Sequence, residues 1–94
     1  MPTLLSLDLA RLLAEAGFLA IDQKDWLRAQ RIFSVLMAFR HESECPYVGM
    51  SMTELLQLRW GAAARWAQLG LTQVPGSRAL ADLRDLAAQR GVLS

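Results

Sequence analysis

One histidine, one cysteine and three prolines are all that this 94-residue chain carries of those three residue types. The lone cysteine, Cys45, excludes an internal disulfide and suits a reducing compartment. His41 and Cys45 stand four apart, yet no second ligand pair exists to complete a zinc site. There is no glycine-rich phosphate loop, and Gly49-Met50-Ser51-Met52-Thr53 lacks the second glycine of a nucleophile elbow. The sequence therefore gives no reason to expect an enzyme, a metal or a cofactor. Charge of one sign is scarce too: ten basic against nine acidic side chains leave a formal +1, which supplies no electrostatic footprint for nucleic acid. Lys24, Arg28 and Arg31 read as a solvated helix face. No apolar run reaches the ~18–20 residues that span a bilayer, because Asp8, Arg11 and Glu15 interrupt the leucine-rich start. The first residues lack the basic stretch of a secretory signal. The expectation is a cytoplasmic protein without membrane insertion.

What the chain does have is apolar content, 53% of its residues, and an internal period. Adding 34 to a residue number takes Trp26 to Trp60, Ala29 to Ala63, Gly17 to Ser51, Leu13 to Tyr47 and His41 to Pro75. A small residue in a first helix, an aromatic at the turn and an alanine early in a second helix, repeated at this interval, mark a tetratricopeptide-like (TPR-like) helix pair. The residue types suit close packing. Gly17 and Ala29 lack bulk where the two helices approach, Trp26 wedges the turn, and Phe33, one turn beyond Ala29 on the same face, fills the space beneath. The second copy departs from the first: Ala67 stands where a large residue is expected, and Glu54 falls at a packing position.

Taken in order, Leu4 to Ile21 predicts a first helix, mostly buried, with Asp8, Arg11, Glu15 and Asp22 on one narrow polar stripe. Ser6 or Thr3 would start it. Gln23-Lys24-Asp25 forms a turn in which Asp25 caps a second helix from Trp26 to about Phe39. The polar run His41–Cys45 leads to Pro46, which suits the first turn of a third helix. In that helix, Tyr47 to Leu58, Thr53, Glu54 and Gln57 make the polar side. Trp60 marks the next turn, Gly61 caps, and the fourth helix runs to about Leu69, ended by Gly70 and the Gln73-Val74-Pro75-Gly76 segment. Ser77 caps a fifth helix bearing Leu80, Leu83 and Leu86, which stops at Gly91. The fold class is thus all-α, with about five helices in a single TPR-like domain: one pair over 10–43, a second over 44–77 and a capping helix over 78–94. A domain of this size buries only about 60–65% of its unfolded surface, and stacked repeats ordinarily number at least about three, so modest stability is expected.

In such arrays one face of each first helix lines a groove. The 34-residue register names Ala14, Phe18 and Ile21 in the first copy and Val48, Met52, Leu55 and Leu56 in the second, with Arg11 and Asp22 at the polar edges. The lining is oily, which suits the apolar face of an amphipathic helix, and methionine adapts to such a partner. The alternative is that these side chains are core.

Leu13-Ala14-Glu15-Ala16-Gly17-Phe18, the run from Trp26 to Leu36, and Pro46-Tyr47-Val48-Gly49-Met50-Ser51-Met52 together resemble the small TPR-like co-chaperones of bacterial type III secretion systems, the YscG, PscG, EscG and SsaH family. The resemblance covers roughly residues 10–75. It implies a cytosolic co-chaperone whose groove holds the amphipathic helix of a needle subunit and prevents premature polymerisation, with a second small chaperone in a heterotrimer. Phe18, Ile21, Val48, Met52 and Leu55 would then touch the client. A general interaction or regulatory module of a secretion system, and a self-associating structural subunit, remain as other readings.

Overall fold

The computed structural model of the chain describes residues 7–93. Among them are five helices and no strand: α1 (Leu7–Asp22), α2 (Trp26–Phe39), α3 (Cys45–Leu55), α4 (Trp60–Gln73) and α5 (Arg78–Leu93). The all-α expectation holds, and α2 has the predicted bounds. Asp25 caps α2 by accepting the Arg28 N–H at 3.3 Å, and Ser77 caps α5 by accepting the Leu80 N–H at 3.2 Å. Pro46 sits in the first turn of α3, where its missing N–H costs nothing. The start expected at Ser6 or Thr3 lies outside the described residues.

The 34-residue period recurs in the backbone hydrogen bonds. Lys24 and Leu58 both take left-handed conformations, with φ of 61° and 64°. The Lys24 N–H donates to the Ile21 carbonyl and the Asp25 N–H to that of Ala20; 34 residues on, Leu58 donates to Leu55 and Arg59 to Glu54. This pair of bonds around one left-handed residue closes a helix by satisfying two of its last carbonyls. The far ends match as well. Arg40 donates to Leu36 and Ser43 to Arg40, as Val74 donates to Gly70 and Ser77 to Val74.

Each helix packs on its neighbour in sequence. In addition α1 approaches α3 and α3 approaches α5, whereas no Cα atoms of α2 and α4 come within 8 Å of each other. The first helices of the units therefore form an inner row, and the second helices spread on the outside, each wedged between two inner ones. Phe33 is the wedge of the first unit: it is fully buried, and a Cβ on Gly17 of α1 or Gly49 of α3 would lie 2.6 Å or 2.3 Å from its ring. Burying such a side chain contributes about 1.5–3 kcal/mol. Ala29 and Ala63 are also fully buried. In the second unit Gly70 plays the receiving part, since a Cβ there would lie 2.6 Å from Tyr47 and 2.7 Å from Leu80.

Several sequence expectations fail here, each for a packing reason. α4 does not stop at Leu69 but runs through Gly70 to Gln73, ending at the expected Gln73-Val74-Pro75-Gly76 segment, because the glycine is needed mid-helix for that close approach. Gly61 lies inside the first turn of α4 rather than capping it, and α5 continues past Gly91. The third helix is Cys45–Leu55 rather than Tyr47–Leu58, since Leu58 turns left-handed. Thr53 and Glu54 do not face solvent: α3 is held between α2 and α4, so both are buried. Their polar atoms are satisfied. The Thr53 hydroxyl donates to the Gly49 carbonyl at 2.7 Å, and Glu54 accepts from Gln30 Nε2 at 3.2 Å with Arg59 Nη1 at 3.8 Å. Finally, α1 is not mostly buried; only Gly17, Ala20 and Ile21 are.

Candidate partner-binding groove

The inner row of α1, α3 and α5 sets residues one period apart side by side. Phe18, Met52 and Leu86 occupy one repeat position, Ala14, Val48 and Asp82 a second, and Asp22, Leu56 and Arg90 a third. Phe18 is half-buried because its ring meets Phe33 edge to face, with centroids 5.0 Å apart. This geometry is favourable for two aromatic quadrupoles. Met52 and Val48 are likewise half-buried, the first against the cluster around Phe33 and the second against that around Tyr47 and Leu80.

Two clefts flank this ridge. One, of about 280 Å³, opens where the N-terminal halves of α1 and α3 part over the end of α2; Ala14 lines it with Leu7, Ala10, Leu36 and Cys45, and Arg11 and Arg40 stand at its rim. The other, of about 420 Å³, lies between the end of α3, the start of α4 and α5, and is lined by Leu55, Leu56, Leu58, Trp60, Leu86 and Arg90. Both are apolar with cationic edges. Their walls offer surface to a hydrophobic partner rather than groups for bond-making chemistry.

The seven residues expected to line the groove thus separate. Ala14 belongs to the first cleft, Leu55 and Leu56 to the second, and Phe18, Val48 and Met52 to the ridge between. Ile21 is different: at 6% exposure it is a core residue packed with Ala20, Ala29 and Phe33, because it lies one step round α1 toward α2. Leu86, 42% exposed, was missed by reading α5 only as a cap, although carrying the period once more from Met52 finds it. Leu58 and Trp60 belong to the second cleft because the turn itself projects into it.

The polar loop before α3 is a structural tie. Arg40 Nε donates to Glu42 at 3.0 Å, and the Tyr47 hydroxyl donates to the His41 carbonyl at 2.9 Å. A backbone hydrogen bond and the adjacent Arg40 hold the Glu42 carboxyl below its ordinary range. Burial, reinforced by the charge of Glu44, pushes the Cys45 thiol up, which makes it a poor nucleophile near neutrality. No group of three or more His, Cys, Asp or Glu among the described residues is placed to hold a metal. No helix among them is long and apolar enough to cross a membrane. Against family models, curated proteins and solved structures, the chain finds no match.

Proposed function

We propose that this chain is a cytoplasmic co-chaperone that holds the amphipathic helix of a type III secretion needle subunit across its inner row and so keeps that subunit from polymerising. The observation that carries the reading is that Phe18, Met52 and Leu86 hold one repeat position on the three inner helices, with two apolar clefts beside that row. Three inner helices spaced about 8–10 Å apart offer a track of roughly 16–20 Å, the length of a helix of about 11–13 residues. Apolar side chains one turn apart on such a helix would enter the clefts, while Arg11, Arg40 and Arg90 would meet acidic groups at its edges. The second small chaperone implied by the resemblance would complete a heterotrimer.

Copurification of a coexpressed needle-type subunit tests this, with far-UV circular dichroism to report folding. Leu56→Glu and Leu86→Glu are the informative variants, because both side chains are exposed and the fold does not depend on them. Each places a carboxylate against buried apolar surface, so client recovery is expected to fall at least tenfold, against little change for Arg31→Ala. Helical variants that still hold the client as Arg31→Ala does would refute the groove.

A further inference from the structure

The outer face of α1 carries a helix-docking seam that no other described helix covers. In this array each inner helix after the first is packed on the outer helix that precedes it. Pro46, Gly49, Met50 and Thr53 of α3 are buried there, beneath α2, and Leu80 and Ala87 of α5 beneath α4. The same positions of α1, one period earlier, are Leu12, Glu15, Ala16 and Leu19. Here no preceding helix exists among the described residues, and Leu12 and Leu19 stand 59% and 55% exposed.

The spacing on this face is that of a coiled-coil seam. Leu9, Leu12, Ala16, Leu19 and Gln23 follow at alternating steps of three and four. A recess of about 170 Å³ at its lower end, lined by Ala16, Leu19, Ala20, Gln23 and Arg28, is shaped to receive a side chain. Along the open edge runs an acidic row at sevenfold spacing, Asp8, Glu15 and Asp22, all exposed. Asp8 has Arg11 at 3.8 Å; Glu15 stands where α3 has Gly49, the point at which α2 inserts Phe33.

We propose that this seam binds one amphipathic helix of another protein, with leucine-like residues along its contact stripe and lysine or arginine along the edge that meets Asp8, Glu15 and Asp22. The charge row decides the occupant. Two copies joined antiparallel through α1 would set Glu15 opposite Glu15 and Asp8 opposite Asp22, all of one sign. Head-to-tail stacking is no better. The outer face of α5, where a further second helix would pack, presents exposed Arg78, Asp85, Ala88 and Gln89, a polar end that terminates an array. A basic-edged helix satisfies both the leucines and the carboxylates. The seam lies on a different side of α1 from Ala14 and Phe18, so this proposal stands independently of the groove.

The test uses two synthetic helical peptides of three heptads, with identical leucine seams and either lysine or glutamate along the flanking positions. Binding to the full chain is followed by fluorescence anisotropy at low and at about 1 M salt, where screening acts within ~3 Å. The lysine peptide is expected to bind about tenfold more tightly than the glutamate peptide, as three modest ion pairs would give, and the difference to shrink in high salt. The double variant Leu12→Ser, Leu19→Ser should remove binding while preserving helicity, whereas Leu86→Glu should leave it unchanged. Equal binding of the two peptides overturns the charge argument. Loss with Leu86→Glu but not with the serine pair places the peptide in the groove and overturns the seam. Sedimentation of the free protein supplies the remaining outcome: a dimer abolished by the serine pair would make a second copy the occupant, against the proposal.

Discussion

Gly49→Ala is expected to destabilise this protein, although the same change in most helices stabilises it. Alanine is favoured over glycine in a helix interior by about 1 kcal/mol, chiefly through backbone entropy. At Gly49, however, the new Cβ would lie 2.3–2.4 Å from three carbons of the Phe33 ring, where ordinary contact begins near 3.4 Å. The ring or the helix must therefore yield by about an ångström. The ring has nowhere to go, because Gly17 also abuts it, with a Cβ position 2.6 Å away, and Phe33 has no exposed surface. Overpacking of this kind costs about 1–3 kcal/mol, and a trapped ring belongs near the top of that range. Subtracting the helix-propensity gain leaves a net loss of about 2 kcal/mol, which for a domain of this size lowers Tm by roughly 8–16 °C. Thermal unfolding followed at 222 nm measures it. Gly61→Ala is the control, since its Cβ would meet only the end of the Arg65 side chain at 3.5 Å, and it should raise Tm. In a Phe33→Leu background, where the ring is gone, Gly49→Ala should lose most of its cost. If Gly49→Ala raises Tm as Gly61→Ala does, Phe33 is not wedged between α1 and α3, and the packing of the first unit is wrong.

Ala29→Leu and Ala63→Leu each force three carbons into a fully buried position at the turn side of a helix pair, so each should cost about 1–3 kcal/mol; two unchanged melting curves would contradict the shared register. Lys24→Gly and Leu58→Gly should act in the opposite direction. Both residues hold φ near +60°, where a side chain costs roughly 1–2 kcal/mol and glycine costs nothing sterically. After the entropy that glycine loses on folding, a gain of about 0.5–1 kcal/mol is expected at each site. A fall in denaturation midpoint for both would refute the left-handed closure of α1 and α3.

What the sequence made legible was local chemistry tied to a period. Trp26 and Trp60 begin helices, Ala29 and Ala63 are buried to the same degree, and Asp25 and Ser77 cap where their side chains can reach free N–H groups. What it hid depends on neighbours remote in sequence. Thr53 and Glu54 look like a solvent face until α2 and α4 close on both sides of α3. Gly70 looks like a terminator until Tyr47 and Leu80 require its missing side chain. The candidate groove was partly legible in placement: the register put Phe18 and Met52 on the inner row, but it could not tell that Ile21 turns inward, nor that the turn residues Leu58 and Trp60 would supply a cleft wall.

The hardest distinction to draw from sequence is between a leucine facing a neighbouring helix and one facing nothing, because the same residue type serves both. Position in the array makes the difference. Pro46 and Thr53 are buried on the helix that α2 precedes, and Leu12 and Leu19, one period earlier, stand exposed where no described helix precedes α1. The two ends of the array have unequal composition for this reason. At α5 the open face carries Arg78, Asp85 and Gln89 and is stable in water, as the end of a stack must be. At α1 the open face keeps the apolar pattern of an interior unit and adds a row of carboxylates beside it. An end built like an interior unit leaves apolar area hydrated, which opposes stability at about 25 cal/mol per Å² until another helix covers it. That cost falls on α1, which also supplies Ala14 and Phe18 to the candidate groove, so the helix that most lacks a described neighbour is one of the three on which the inner row depends.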